Sequence, residues 1–119
     1  MNADVSRKVT MVVPTIPKDL PTLVKYLDVY FELLPIKSIC VVGDQGIKKM
    51  LPQDDRVCFL DEESLLDTDI IKSTFSSRCN SQEDNKRCGW YIQQFLKMAY
   101  SRVCVDDYYL LWDSDTIPV

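Results

Sequence analysis

Short runs of apolar residues alternate along this chain with stretches in which apolar positions recur at helical spacing. The β-branched run at 9–13 ends at Pro14, which predicts a buried strand followed by a rigid turn. Apolar residues then recur every three or four positions over 20–34 until Pro35 interrupts them, and this spacing predicts a helix. The chain is therefore expected to begin with a strand and a helix.

The middle of the chain repeats this order on a shorter scale. A second apolar run at 38–43 predicts a buried strand, and the turn at 44–46 leads into a short helix near 47–51. A third, shorter strand is predicted at 57–60, followed by a helical turn at 62–66. Strands that alternate with helices are typical of α/β proteins with a parallel sheet.

The last third of the chain combines one irregular segment with two regular ones. Residues 73–85 are rich in Ser, Asn and charge without a clear period, so a mobile loop is expected over 67–86. An amphipathic pattern over 88–103 predicts a helix, and the run at 108–112 is apolar enough to predict a strand inside the sheet. The predicted fold is α/β, with a mainly parallel, Rossmann-like sheet and flanking helices in a single domain over 1–119.

Length and charge limit the classes of function. A chain of 119 residues forms one small domain, and its formal net charge of -4 provides no general attraction for nucleic acid. The first residues lack the apolar run of a signal peptide, and no stretch approaches the roughly 20 apolar residues that span a bilayer. We therefore expect a cytoplasmic protein without a transmembrane segment; peripheral association with the inner membrane face stays open.

The five cysteines form no CxxC pair and the chain has no histidine, which argues against a zinc site. Cys40, Cys58 and Cys104 lie in or beside apolar runs and are expected to be buried, reduced thiols. Cys79 and Cys88 flank a polar segment, where a loop disulfide is the alternative. The odd cysteine count and the lack of a secretion signal count against that disulfide.

The strand predicted at 108–112 runs directly into Asp113, Ser114 and Asp115. Ligands of open parallel sheets gather outside the carboxyl ends of the strands. Two carboxylates this close repel each other, and a divalent cation is the simplest means of keeping both ionised. Such oxygen ligands suit Mn²⁺ or Mg²⁺, with a diphosphate and water completing the coordination. Taken alone, the tripeptide is a weak signal, because a solvated acidic turn has the same composition.

Longer stretches of the chain carry a resemblance to a known family. Residues 90–97 (Trp-Tyr-Ile-Gln-Gln-Phe-Leu-Lys) and 109–116 (Tyr-Leu-Leu-Trp-Asp-Ser-Asp-Thr) resemble the nucleotide-sugar-binding half of glycosyltransferases with the A-type fold. More narrowly, residues 87–91 and 112–118 look like a bacterial group of glycosyltransferases with a DUF6492-type domain. Residues 12–15 also look like the first strand and turn of the A-type fold.

The resemblance implies a metal-dependent glycosyltransferase that binds a nucleotide-sugar, with a UDP-sugar favoured, and transfers the sugar to an unidentified glycan acceptor. Asp113 and Asp115 would hold Mn²⁺ or Mg²⁺, which neutralises the diphosphate as it leaves. Gln94 would bond to a sugar hydroxyl. The donor-binding residues that the resemblance implies are Pro14, Thr15, Asp44, Arg87, Gln94, Lys97 and Ser114.

Five of these residues have separate expected roles. Pro14 and Thr15 would border the nucleoside, and Asp44 would accept a hydrogen bond from uracil or ribose. Arg87 and Lys97 are the natural cations for phosphate or sugar. The alternative for both cations is a solvated position on the surface, without a role in binding.

Two other functions use the same residues. Haloacid-dehalogenase-like phosphatases also end a strand in Asp-x-Asp, whose first Asp attacks phosphate. Their motif lies on the first strand, however, and has Thr or Val where this chain has Ile117. A non-catalytic fragment that binds a nucleotide-sugar would share every residue named above.

The position of the acidic motif leads to two further expectations. In the A-type fold the acceptor pocket and the catalytic base lie beyond Asp-x-Asp, so we expect an N-terminal half-domain with catalytic residues beyond Val119 and little transfer activity of its own. The A-type order also places the Asp-x-Asp strand beside the first strand. One side of the strand at 108–112 would then lack a neighbour, and a homodimer through this edge is expected.

Overall fold

The computed structural model of the protein describes residues 8–78 and 82–117, with side chains at 8–74 and 87–117. Within this part of the chain the strands are β1 (Val9–Pro14), β2 (Ile36–Gly43), β3 (Val57–Asp61) and β4 (Tyr109–Leu111). The α-helices are α1 (Leu20–Lys25), α2 (Leu27–Leu33), α3 (Gln45–Lys48), α4 (Thr68–Arg78) and α5 (Gln82–Ala99). Short 3₁₀ turns cover Glu62–Ser64 and Tyr100–Arg102.

The four strands form one parallel sheet in the order β3-β2-β1-β4. β1 lies inside the sheet, where Val12 pairs with Cys40 of β2 on one side and with Leu111 of β4 on the other. The predicted α/β fold with a parallel sheet is therefore confirmed. The position of the last strand beside the first also agrees with the expected order.

Two hydrophobic clusters cover the two faces of the sheet. The cluster between the sheet and α1, α2 and α3 includes Met11, Val13, Leu23, Tyr30, Ile39 and Ile47. The cluster between the sheet and α5 includes Val12, Cys40, Val42, Leu65, Ile92 and Leu96. Because successive residues of β1 and β2 enter opposite clusters, both strands are continuous apolar runs. In the described part of the chain, no helix is long and apolar enough to cross a membrane.

The helix predicted over 20–34 is divided at Tyr26. The Tyr26 amide donates to the Leu23 carbonyl at 3.3 Å, which is the i to i-3 bond of a tightened turn. The Tyr30 amide then donates to the Tyr26 carbonyl at 3.1 Å and starts the regular pattern of α2. The apolar stripe continues through the break, because Leu20, Leu23, Leu27 and Tyr30 are all buried.

Helices occupy most of the segment 67–86, where the sequence pattern led us to expect a mobile loop. The Asp67 carboxylate accepts the Ile70 amide at 3.1 Å, which caps the start of α4. The buried Thr68 hydroxyl donates to Glu63. Ile71 packs against the hydrophobic cluster between the sheet and α5. These contacts favour a helix despite the polar composition, and α5 begins as early as Gln82. Residues 79–81 lie outside the described residues.

The burial expected for β4 is also corrected. The apolar run at 108–112 predicts a strand inside the sheet, but β4 pairs with β1 alone and forms an edge among the described strands. Leu111 is 43% exposed and Tyr108 is 77% exposed. An apolar run thus identifies a strand but does not decide its place in the sheet.

The thiols differ in burial. Cys40 is buried and Cys104 is half-buried, whereas Cys58 is exposed because β3 forms the other edge of the sheet. The expected burial of Cys58 is therefore wrong. Cys88 carries a free thiol and packs in the core, and Cys79 lies outside the described residues.

Candidate functional site at the carboxyl edge of the sheet

The carboxyl ends of three strands carry the residues that the sequence indicates as a site. Pro14 ends β1, and the next residue, Thr15, is buried. The Thr15 amide continues the ladder and donates to the Val42 carbonyl at 2.9 Å. Asp44 follows β2, and its side chain accepts the Gly46 amide at 2.8 Å as the cap of α3. These local bonds determine where the two turns run along the edge of the sheet.

A cavity of about 470 Å³ opens beside these turns. The residues that line it come from β1, from the turns after β2 and β3, and from the facing sides of α4 and α5. They are Pro14, Thr15, Ile16, Asp44, Glu62, Lys72, Gly89, Trp90, Ile92, Gln93 and Leu96. Its volume falls within the range of about 300–1,000 Å³ that is usual for sites of small molecules. Because its lining includes Pro14, Thr15 and Asp44, for which the family resemblance implies contacts with a nucleoside, we call it the nucleoside cavity below.

A second cavity of about 200 Å³ lies at the end of β4. Its lining is acidic and polar, and consists of Asp19, Trp90, Gln93, Gln94, Asp113, Ser114 and Asp115. Trp90 and Gln93 line both cavities, so the two spaces adjoin along α5. We call this second space the acidic cavity. Together the two cavities follow the carboxyl edge of the sheet from Asp44 to Asp115.

Buried Tyr30 and partly buried Trp112 hold the turn that carries the two aspartates. The Thr116 carbonyl accepts the Tyr30 hydroxyl at 2.9 Å and the Trp112 indole N–H at 3.0 Å. The two aromatic rings meet edge to face at 5.9 Å between centroids. Ser114 is buried within the same turn. The turn is therefore anchored to α2, 86 residues earlier in the chain, and the two carboxylates have a rigid base.

Lys97 forms an ion pair with the first carboxylate of the motif. Its Nζ lies 2.6 Å from Asp113 Oδ1, and only 13% of the lysine side chain is exposed. The Tyr109 hydroxyl donates to the Lys97 carbonyl at 2.7 Å, which joins this turn of α5 to β4. Lys97 is therefore a fixed positive charge at the acidic cavity, and a cation bound to Asp113 would compete with it.

Glu62, which follows β3, lies among the charged groups at the nucleoside cavity. Burial raises the pKa of Glu62, and the nearby Lys72 ammonium acts in the opposite direction. The carboxylates of Asp44, Glu63 and Asp61 raise this pKa further. The cavity thus has several hydrogen-bond acceptors and one cation near its rim, which suits a polar ligand rich in N–H and O–H groups.

Most of the predicted site residues come together. Pro14, Thr15 and Asp44 line the nucleoside cavity, and Gln94, Asp113, Ser114 and Asp115 line the acidic cavity. Lys97 joins this group through its ion pair. Arg87 is the exception, because it is exposed on α5 and lines neither cavity.

Five lining residues whose side chains carry a polar or charged group were not among the predicted donor-binding set. Glu62 could have been found by the rule that selected Asp44, because it too follows a strand at the carboxyl edge. Lys72 belongs to the segment expected to be a loop, so no pattern indicated it. Trp90 and Gln93 belong to the stretch 90–97 that carries the family resemblance, but it implied no donor-binding role for either, and Asp19 carries no signal of its own. These three residues line the cavities because α5 and the start of α1 lie beside the carboxyl ends of the strands.

The acidic cavity has some of the side-chain groups that a divalent cation needs. Asp19, Asp113 and Asp115 supply the carboxylate oxygens that Mn²⁺ and Mg²⁺ prefer. No group of three or more acidic, Cys or His side chains in the described part of the chain has the geometry to hold a metal ion by itself. The donor chemistry fits a cation whose remaining ligands come from a bound anion and from water.

One comparison with known proteins identifies a family. A family model described as "Family of unknown function (DUF6492)" matches residues 21–119. No curated protein and no solved structure matches the chain. The matched region includes α5, β4 and the acidic motif, but the description of the family states no activity.

Proposed function

We propose that this chain, which belongs to the family of unknown function DUF6492, is a donor-binding domain of a glycosyltransferase and binds a nucleotide-sugar with a divalent cation. The nucleoside would occupy the nucleoside cavity, and the diphosphate would lie over the acidic cavity. The donor favoured is a UDP-sugar, and the acceptor is a glycan of unassigned structure.

The observation that supports this proposal best is the continuity of the two cavities. They share Trp90 and Gln93, so one elongated ligand can extend from Asp44 to Asp115. A nucleotide-sugar has the matching order of groups, with a base and ribose rich in hydrogen-bonding atoms at one end and a diphosphate at the other. Both cavities lie at the carboxyl edge of a parallel sheet, where ligands of open α/β folds bind.

The roles of the charged residues follow from their positions. Asp113 and Asp115 would hold Mn²⁺ or Mg²⁺, which when bound would neutralise the diphosphate and stabilise it as a leaving group. Lys97 would release Asp113 and bond to a phosphate oxygen in its place. Asp44 would accept a hydrogen bond from the base or ribose. Glu62 could accept a second such bond when ionised.

Calorimetric titration tests the proposal directly. We expect UDP to bind in the presence of Mn²⁺ and not in the presence of EDTA. Asp115→Ala should weaken this binding by roughly tenfold or more, because a charged ligand interaction is lost. Asp107→Ala is the matched control, since it removes an exposed carboxylate just before β4 and should leave binding unchanged. Equal, negligible heats for the wild type and for Asp115→Ala would reject the donor site.

Parallel assays separate the proposal from the other candidate functions. GDP is titrated beside UDP to test which nucleoside the larger cavity accepts. Robust turnover of p-nitrophenyl phosphate with Mg²⁺ would indicate a phosphatase instead of a sugar transferase. Nucleotide binding without hydrolysis or transfer would indicate a binding domain.

A further inference from the structure

Cys40 and Cys58 are directly opposite each other on neighbouring strands, away from the two cavities. Cys40 of β2 pairs with Cys58 of β3 in the parallel register, so both side chains lie on the same face of the sheet. Neighbouring strands are about 4.7–4.9 Å apart. This spacing lies within the range of about 4.4–6.8 Å between Cα atoms that a disulfide can bridge.

The two thiols differ in access and in acidity. Cys58 is exposed on the edge strand, whereas Cys40 is 3% exposed and packs in the hydrophobic cluster between the sheet and α5. A hydrogen bond from Cys40 lowers the pKa of Cys58 to about 7. The same hydrogen bond and burial raise the pKa of Cys40 well above its usual range. A reagent from solvent therefore reaches a partly ionised thiolate that has a protonated thiol beside it.

The other two described cysteines have different surroundings. Cys104 donates its S–H to the Asp106 carbonyl at 3.3 Å. Cys88 is 6% exposed and packs in the core from α5. Neither lies opposite a second cysteine on a neighbouring strand. Cys40 and Cys58 are therefore the pair whose geometry suits chemistry between two thiols.

We propose that Cys58 and Cys40 form a reversible oxidation site for hydroperoxides, in which exposed Cys58 reacts first and buried Cys40 completes a disulfide between β2 and β3. The site is independent of the donor-binding function, because neither cysteine lines the nucleoside cavity or the acidic cavity.

The reaction has two balanced steps. The Cys58 thiolate attacks one peroxide oxygen, an S–O bond forms, the O–O bond breaks, and the leaving hydroxide or alkoxide takes a proton from water. The sulfur is oxidised by two electrons to a sulfenic acid, and the peroxide is reduced. The Cys40 sulfur then attacks the sulfenic sulfur, so that an S–S bond forms and the S–O bond breaks. The hydroxide leaves with the Cys40 proton as water.

Peptide mapping of the full chain after limited treatment with hydrogen peroxide tests the proposal. We expect a peptide pair cross-linked through Cys40 and Cys58 that dithiothreitol separates. In Cys40→Ala, Cys58 should form a sulfenic acid that dimedone traps. Without dimedone, this sulfenic acid should be oxidised further to irreversible sulfinic acid. Cys104→Ala is the matched control and should keep the cross-link. A Cys58 that stays reduced, or one that over-oxidises in the wild type while Cys40 stays free, would overturn the proposal.

Alkylation kinetics give a second readout that does not depend on an oxidant. The rate at which iodoacetamide modifies Cys58 should rise with pH and reach half its maximum near pH 7, because the thiolate is the nucleophile. Removal of the hydrogen-bond donor in Cys40→Ala should move this midpoint upward, toward the value of about 8.5 for a free thiol. A wild-type midpoint already at that value would also contradict the proposed pair.

Discussion

At the scale of single residues, Asp113 has two potential partners that cannot both occupy the same oxygen. Lys97 Nζ lies 2.6 Å from Asp113 Oδ1, and a divalent cation would bind the same carboxylate. The lysine side chain is largely shielded from solvent, so the pair is weakened by salt less than an exposed pair would be. Removal of the Lys97 ammonium should therefore affect the binding of a metal ion alone differently from the binding of a metal ion together with a nucleotide.

Lys97→Gln should affect these two kinds of binding in opposite directions. Without the competing ammonium, Mn²⁺ alone should bind roughly threefold more tightly, because Asp113 is exposed and an ion pair with an exposed partner contributes roughly 1 kcal/mol or less. UDP with Mn²⁺ should bind roughly tenfold more weakly, because a charged hydrogen bond to phosphate is lost. Calorimetry measures both affinities.

Lys37→Gln is the matched control for this experiment. It breaks a similar ion pair, from Lys37 Nζ to Asp106 Oδ2 at 2.7 Å, that lines neither cavity. This variant should leave both affinities unchanged. If Lys97→Gln changed the two affinities in the same direction, the proposed exchange of partners would be wrong.

At the scale of elements, the close approach of β2, the turn after β1 and α3 shapes the nucleoside cavity. A Cβ atom at Gly43 would lie 2.9 Å from the Thr15 carbonyl oxygen and would also collide with the Ile47 side chain. The absence of a side chain at Gly43 therefore allows the end of β2 to pack directly against the turn that carries Thr15. A Cβ atom at Gly89 of α5, in contrast, would meet nothing within 4 Å.

Two glycine variants should thus have opposite effects on stability. Gly43→Ala should lower the free energy of unfolding by roughly 2 kcal/mol, because backbone atoms must move to admit the methyl group. Gly89→Ala should raise it by about 0.5–1 kcal/mol, because alanine is the better helix former. Urea unfolding measures both values. A Gly43→Ala variant as stable as the wild type would show that the turn after β1 can shift freely.

The start of α4 depends on its cap, because the polar composition of this helix gives it only a weak local preference for helical structure. Asp67→Ala should lower the free energy of unfolding by about 1 kcal/mol, since the Ile70 amide loses the carboxylate that caps it. Asp55→Ala removes an exposed carboxylate in a turn and serves as the control for the change in charge. Equal effects of the two variants would argue against the cap.

At the scale of the whole molecule, β4 leaves one side of the sheet without a described neighbour. The Trp112 amide donates to the Val12 carbonyl at 3.1 Å, so the Trp112 and Leu110 backbone groups face β1. Backbone groups of alternate residues point to opposite sides of a strand, so those of Tyr109 and Leu111 face the open edge. Leu111 and Tyr108 also expose apolar side chains at this edge. Such an edge invites pairing with another strand.

We expect two copies of the chain to pair antiparallel through β4, as proposed for the strand at 108–112. Light scattering coupled to size-exclusion chromatography should detect a dimer at tens of micromolar protein, and a species of 13.8 kDa at all concentrations would contradict it. Leu111→Pro should convert the dimer to a folded monomer, because it removes a donor from the open edge. Leu110→Pro is the contrasting control, since it removes a bond to β1 and should destabilise the fold.

Several parts of the site could be predicted from sequence because each depends on local rules. Pro14, Asp44 and Asp113 follow apolar runs that predict strands, and the carboxyl ends of parallel strands meet at one edge of a sheet. Lys72 could not be predicted, because polar composition hides the helix that carries it. Arg87 was expected at the site on the basis of its charge, but the orientation of α5 leaves it outside both cavities.

The sequence by itself determined the strands, most helices and the parallel α/β fold, because apolar period and proline breaks act over a few neighbouring residues. Only the tertiary structure decided which strands form the edges, which residues share a cavity and which thiols face each other. Those features depend on contacts between distant segments, such as the bond from Tyr30 to Thr116 across 86 residues and the ion pair from Lys97 to Asp113. A local pattern contains no information about such pairs, because packing of whole elements brings them together.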